Sequence, residues 1–101
     1  MPSGGDTNVT LIFFSAATRG HDAMIDLLVE RYGVDPNGAG EYDVWTALHW
    51  ATEYDRVRTV KHLVEKHNVD IHKRNRDGET ALDLAEKRGR TECAAVLRGY
   101  R

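Results

Sequence analysis

The sequence repeats itself at a spacing of about 34 residues. The triplet Thr-Ala-Leu at 46–48 returns at 80–82, and a step of 35 residues places 25–29 on 60–64, where an aliphatic residue, a leucine and a valine recur in the same order. Three copies of the unit occupy nearly all of the 101 residues. A chain of this kind folds as a stack in which each unit packs on its neighbours, and about three units are needed for a stable core.

Each copy predicts two short helices and a long turn. In the second copy Thr46 is suited to begin the first helix, because its hydroxyl can accept a hydrogen bond from a free amide of the first turn. Asp55-Arg56 interrupts the pattern, and the apolar residues at 57, 60, 63 and 64 then form an amphipathic stripe. Asp77-Gly78 in the following loop is a strong hairpin-turn signal.

These units resemble ankyrin repeats, whose signature is T-P-L-H-x-A. The segment TALHWA at 46–51 departs from it only at Ala47, and TALDLA at 80–85 departs at Ala81 and Asp83. The segment SAATRGHDAMIDLLVERYGVD at 15–35 resembles the later half of the unit. The resemblance implies an all-α repeat protein, or solenoid: an ankyrin-type stack of three helix-turn-helix units joined by β-hairpin-like loops.

We expect an N-terminal segment at 1–9 and an ankyrin-repeat domain at 10–101, with repeats at about 10–42, 43–76 and 77–101. The resemblance implies that His49 ties its repeat to the next hairpin and that Asp83 belongs to a C-terminal capping repeat.

The first copy departs from the pattern, because Leu11-Ile12-Phe13-Phe14 stands where the signature is expected. We therefore expect some of these apolar side chains to meet water unless something covers them. Cover by residues 1–9 is favoured, and a partner, a second copy of the chain or an upstream repeat are the alternatives. A monomer is expected, and a weak homo-oligomer would form through Leu11, Ile12 and Phe14.

No enzymatic activity, cofactor or metal is predicted. Cys93 has its nearest histidines in another repeat, so we interpret it as a small packing residue rather than a nucleophile. His62, His67 and His72 are spaced by five, which turns successive side chains by about 140° around a helix. They are therefore expected to share no face and to form no metal site.

Cysteine content and charge bear on location and partners. One cysteine excludes an intrachain disulfide and fits a reducing compartment, so we expect an intracellular protein, cytoplasmic or nuclear. The longest apolar run, 11–14, is far too short to span a bilayer, and no membrane partner is expected. Residues 1–71 carry a net charge of −5 and residues 72–101 of +3. A basic end that contacts nucleic acid or an acidic partner is thus an alternative function, although a solvated mixed-charge face is favoured.

The resemblance implies a protein–protein interaction module that binds an unidentified partner protein with its hairpin tips and the concave surface of its first helices. Tyrosine, tryptophan and arginine, which are enriched among interface hot spots, are well represented at these positions. On the first helices the candidates are Thr18, Arg19, Trp50, Glu53, Tyr54, Lys87 and Arg88. On the hairpins they are Tyr42, Asp43, Trp45, Arg76, Asp77 and Glu79. Whether Trp50 lines the groove or packs against the adjoining helix is left open.

Overall fold

Helices arranged in pairs, as the repeats predict, make up the fold. The computed structural model describes residues 3–100, with side chains from residue 9 onward. In this part of the chain there are six helices and no strand, and one isolated antiparallel bridge joins Ala39 to Thr46. The helices are α1 Ser3–Arg19, α2 Asp22–Tyr32, α3 Ala47–Glu53, α4 Val57–His67, α5 Ala81–Arg88 and α6 Thr91–Arg98. The prediction of an all-α repeat stack is confirmed.

The first helices of the second and third repeats begin in the same way. The Thr46 hydroxyl accepts a hydrogen bond from the backbone N–H of His49, and the Thr80 hydroxyl accepts one from that of Asp83. In return the side chains of His49 and Asp83 accept from the backbone N–H of the threonine. Each helix thus starts with a reciprocal capping box, which satisfies two amides that would otherwise lack partners. The prediction that Thr46 caps its helix is confirmed.

The helices form two layers. In the front layer α3 packs between α1 and α5, and in the back layer α4 packs on α6. The front helices bury alanines at their contacts, and these small side chains allow the backbones to approach closely. Leucines of the back helices, Leu28, Leu63 and Leu97, fill the space between the layers. The backbones of α2 and α4 approach less closely than those of α4 and α6, and polar side chains bridge this wider gap.

One inter-repeat bond recurs along the stack. The Nε–H of Arg56 donates to the carbonyl oxygen of Thr18 at 2.8 Å, and that of Arg90 donates to the carbonyl oxygen of Glu53 at 3.0 Å. Both arginines stand directly before a back helix and reach the last turn of the front helix in the preceding repeat. The short turns of the second and third repeats are thereby fixed to the repeats before them.

The first helix differs from expectation. Phe14 was expected to be among the side chains that meet water, but it is buried beside Gly40 of the first loop, while Leu11 and Ile12 remain 60% and 50% exposed. The rotation of residues around α1, rather than the alignment with the signature, decides which side chains face inward. Phe13 and Phe14 lie on the inner face of α1, one turn before the buried alanines Ala16 and Ala17.

The helix α1 runs without a break across residues 9 and 10, so its backbone does not mark the expected start of the domain. Val9 packs against the core, and the rest of the expected cover by residues 1–9 lies outside the side chains that the structure describes. None of the described helices is long and apolar enough to cross a membrane.

Candidate functional site

Three aromatic side chains, Trp45, Trp50 and Tyr54, follow one another along the second repeat. We call them the aromatic row. The ring centroids of Trp45 and Trp50 are 4.6 Å apart, and those of Trp50 and Tyr54 are 6.4 Å apart with their planes 30° from parallel. Trp45 lies in the loop directly before the cap of α3, Trp50 lies on α3, and Tyr54 ends the helix one turn later. The structure thus joins three of the candidate residues into one surface that crosses from loop to helix.

The aromatic row is only partly covered by the protein. Trp45 and Trp50 are half-buried and Tyr54 is 49% exposed, while Tyr42 in the preceding loop is 80% exposed. The indole N–H of Trp50 is itself buried and finds no hydrogen-bond acceptor among the described residues. Trp50 therefore packs its nitrogen edge against the fold and keeps another part of the ring at the surface.

Four of the charged candidates pair with one another instead of standing free. The carboxylate of Glu53 accepts a hydrogen bond from Arg88 Nε at 2.9 Å, and that of Glu79 accepts one from Lys87 Nζ at 3.0 Å. Glu79 also accepts from the side-chain amide of Asn75, and the bonds from Asn75 and Lys87 lower the pKa of Glu79 below its ordinary value. These pairs tie α5 to α3 and to the loop before α5.

The loop candidates are held by backbone contacts. The backbone N–H of Arg76 donates to the carbonyl oxygen of Asp43 at 2.9 Å, and its guanidinium donates to that of Tyr42 at 2.8 Å. This pair of bonds stacks the second loop on the first. The exposed Asp77 lies in the second turn, where Gly78 N–H closes the predicted turn on the carbonyl of Asn75.

At the other end of the surface, Thr18 donates its hydroxyl proton to the carbonyl of Phe14, and Arg19 is exposed at the end of α1.

His49 ties the second repeat to the third, as the resemblance implies. Its Nδ1 accepts from the backbone N–H of Thr46 at 3.1 Å, so the ring proton resides on Nε2, which donates to the carbonyl oxygen of Glu79 at 2.9 Å. Burial lowers the pKa of His49, and the bond to Glu79 opposes this only in part. A neutral histidine with both nitrogens engaged is a structural residue.

A cluster between α2 and α4 corrects the expectation that the spaced histidines would not meet. The Nε2 atoms of His62 and His67 both lie 2.7 Å from Oδ1 of Asp26, and Lys66 Nζ lies 3.0 Å from Oδ2. Desolvation raises the pKa of Asp26, but the hydrogen bonds from His62, His67 and Lys66 outweigh it and hold that pKa well below its ordinary value. His72 lies apart from this cluster in the next loop and is exposed.

A helical wheel drawn on α4 alone separates His62 from His67, because it ignores the neighbouring helix on which they converge. The signal that could have revealed the cluster is the repeat period itself. Side chains about 35 residues apart occupy equivalent positions in adjacent repeats, and His62 lies 36 residues after Asp26. The same rule finds Glu53 with Arg88, at a separation of 35.

Cys93 lies at the position equivalent to Thr59 and makes a similar contact. Thr59 donates its hydroxyl proton to Asp22 at 2.6 Å, and the Cys93 thiol lies 3.5 Å from Oδ1 of Asp55. Burial, and then the contact with Asp55, raises the pKa of Cys93 to about 12. The thiol is fully buried and stays protonated, in line with a packing role and not with that of a nucleophile.

The architecture defines a helical repeat protein whose units are joined by loops and repeated side-chain bonds. A family model of three ankyrin repeats matches residues 13–100. The chain therefore belongs to the ankyrin-repeat family. Members of this family are generally protein–protein interaction modules and generally not enzymes.

Relatives from several kinds of protein share this region. The chain is 34% identical to alpha-latrotoxin-Lhe1a of Latrodectus hesperus over 82 residues, which are 81% of this chain and 6% of that protein. It is 45% identical to the espin-like protein of Homo sapiens over 58 residues, 55% of this chain and 6% of the relative. It is 38% identical to the nuclear factor NF-kappa-B p105 subunit of Gallus gallus over 66 residues, 65% of this chain and 7% of the relative. The chain thus spans a small part of these relatives.

Proposed function

We propose that this protein is a non-enzymatic binding module that holds a partner protein with its loop tips and the exposed surface of its first helices. The observation that carries the proposal is the aromatic row. Three rings, each within 6.4 Å of the next and partly exposed on a helix and its loop, offer a large contact area that loses little side-chain entropy on binding. Aromatic side chains of this kind dominate the binding energy of protein interfaces.

The charged neighbours give the surface its rim. Because Glu53 pairs with Arg88 and Glu79 with Lys87, these side chains are already held in place before a partner arrives. Rim charges of this kind contribute mainly to the rate of association and to the choice of partner, and less to affinity. The contacts with the partner are therefore centred on Trp45, Trp50 and Tyr54, and the exposed Tyr42 of the preceding loop adds to them.

Nucleic-acid binding through residues 72–101 receives less support. Several basic side chains of this region already contact acidic groups or carbonyl oxygens: Arg74 with Asp83, Lys87 with Glu79, Arg88 with Glu53 and Arg98 with Glu86. A phosphate backbone would have to compete with these partners for each charge. Sequence-independent binding to phosphates needs free basic side chains.

Self-association through the first repeat could use two of the three residues expected for it. Leu11 and Ile12 are exposed on α1, but Phe14 is buried and unavailable. An intracellular location, cytoplasmic or nuclear, belongs to the proposal as well, and the single buried thiol is compatible with it.

The test compares what two variants capture. The wild-type chain, a Trp45→Ala/Tyr54→Ala variant and an Arg58→Ala/Lys61→Ala variant are immobilised, and the proteins captured from a lysate are quantified by mass spectrometry. Arg58 and Lys61 are exposed on α4, on the back layer, and serve as the matched control. The proposal predicts proteins that the wild type and the control retain and that the aromatic variant loses, while the helical circular dichroism of all three chains agrees.

Other outcomes assign the site elsewhere. Loss with the α4 variant and retention with the aromatic variant would move the site to the back layer. Capture of chiefly the chain itself by all three proteins would favour self-association.

A further inference from the structure

Three side chains that suit a transition-metal ion converge between α2 and α4. Asp26 lies in the middle of α2, His62 lies in α4, and His67 is the last residue of α4. Their candidate ligand atoms all lie within 4.8 Å of one another. We propose that Asp26, His62 and His67 form a binding site for one divalent transition-metal ion of the Zn²⁺ class. The site lies on the back helices, so it stands independently of the partner-binding surface on α3 and the loops.

The distances leave room for an ion after a small movement. Both histidine Nε2 atoms are now 2.7 Å from the same oxygen of Asp26. Zinc bonds of about 2.0–2.2 Å in a tetrahedron place two ligand atoms about 3.3 Å apart. Each nitrogen must therefore withdraw from the carboxylate oxygen by about 0.6 Å, which small side-chain rotations provide. The two rings meet edge to face, with an angle of 74° between their planes and 5.5 Å between their centroids, so they approach the carboxylate from different directions.

The surroundings hold the three ligands in place. The His67 side chain is 5% exposed, and those of His62 and Asp26 are 22% exposed. Lys66 donates to the second oxygen of Asp26 at 3.0 Å and so orients the carboxylate; such outer contacts commonly fix the ligands of a metal. The exposed side of the cluster leaves a fourth position for water or for Glu30, one turn after Asp26, whose carboxylate lies 3.5 Å from Lys66 Nζ.

The ligand set selects the kind of ion. Imidazole nitrogens suit zinc, copper, nickel and iron, whereas Mg²⁺ and Ca²⁺ take oxygen ligands almost alone. A set of two histidines and one carboxylate therefore favours Zn²⁺ and its neighbours over the alkaline-earth ions. The cluster also holds α2 to α4 by hydrogen bonds, and an ion that replaces the two N–H contacts keeps that connection.

The test is a titration of the untagged, chelator-treated full chain with Zn²⁺ by isothermal calorimetry. The wild type should bind one ion, and Mg²⁺ should not compete. His62→Gln and His67→Gln should each weaken binding by at least about tenfold, because loss of one ligand costs no less than loss of an outer contact. His72→Gln removes an exposed loop histidine and should leave the affinity unchanged.

A second measurement separates binding from general destabilisation. Because an ion that binds only the folded state stabilises it, Zn²⁺ should raise the Tm of the wild type and of His72→Gln, but raise it less for His62→Gln. Circular dichroism shows whether each variant is folded. If His67→Gln does not fold, the Zn²⁺ affinity of His62→Gln, which replaces the less buried histidine, decides the test. Absence of saturable Zn²⁺ binding by the wild type would overturn the proposal, as would an equal loss of affinity in His72→Gln.

Discussion

Replacing His49 should show how strongly one side chain connects two repeats. His49→Leu removes the acceptor of the Thr46 amide and the donor to the Glu79 carbonyl, two bonds that are 3.1 and 2.9 Å long in the native protein. Each abandoned group in a buried setting costs about 1–3 kcal/mol, so the loss of both bonds should cost about 2–6 kcal/mol. For a domain of this size that corresponds to a drop in Tm of at least about 8 °C.

A graded series tests the origin of that loss. In the third repeat the short side chain of Asp83 accepts from the Thr80 amide at 3.1 Å, so His49→Asn should keep the equivalent bond and lose only the one to Glu79. We expect it to cost about 1–3 kcal/mol, measured by urea unfolding followed by circular dichroism. Asp83→Asn, at the exposed equivalent position, is the matched control and should be nearly neutral. Equal costs for His49→Asn and His49→Leu would refute the assignment of two separate bonds.

Two further predictions concern the protonation of His49 and the backbone of the loops. Burial lowers the pKa of His49 below its ordinary 6.5, so the unfolded chain takes up a proton at this residue before the folded chain does. The contribution of His49 to stability is therefore complete above pH 6.5 and is lost as the pH falls. When the free energy of unfolding is measured across that pH, the difference between the wild type and His49→Asn should become smaller in acid. A gap that widens in acid would contradict the neutral assignment. Gly78 and its equivalent Val44 both have left-handed backbones, with φ of 79° and 58°. Nothing lies within 4 Å of a Cβ added at Gly78, so Gly78→Val should lower the free energy of unfolding by about 1–2 kcal/mol through backbone strain alone. Val44→Gly removes the same strain and should raise the free energy of unfolding. Destabilisation by both substitutions would argue against strain.

The repeat pattern predicted most of the fold because each unit encodes its own helices. Thr46 caps α3, Asp55 takes a positive φ of 59° at the expected interruption, and Asn68 ends α4 in a left-handed conformation. These are local features, decided by side chains within a few residues of one another, and a single sequence displays them directly.

Contacts between repeats were harder to foresee. The burial of Phe14 depends on how α1 meets the first loop, and the cluster at Asp26 depends on two helices at once. The pairing of Glu53 with Arg88 likewise joins side chains 35 residues apart. Such contacts follow from the stacking geometry rather than from the pattern within one unit, although the repeat period indicates which positions become neighbours.

The candidate surface was predicted as a set of positions, and the structure divides that set. The charged members Glu53, Glu79, Lys87 and Arg88 bind one another, whereas the rings of Trp45, Trp50 and Tyr54 lie side by side at the surface. The sequence alone does not show that these charged side chains pair with one another, because each pair joins residues that only the fold brings together.

The proposed surface can be tested most directly by tryptophan fluorescence. The chain has two tryptophans, and both belong to the aromatic row. A captured partner that lacks tryptophan, or a tryptophan-free segment of it, is added to the chain. The quenching of the tryptophan emission by acrylamide is measured before and after the addition. If the aromatic row is the binding surface, the complex should emit at shorter wavelength and resist quenching. A complex that forms with unchanged emission and unchanged quenching would show that the partner binds elsewhere.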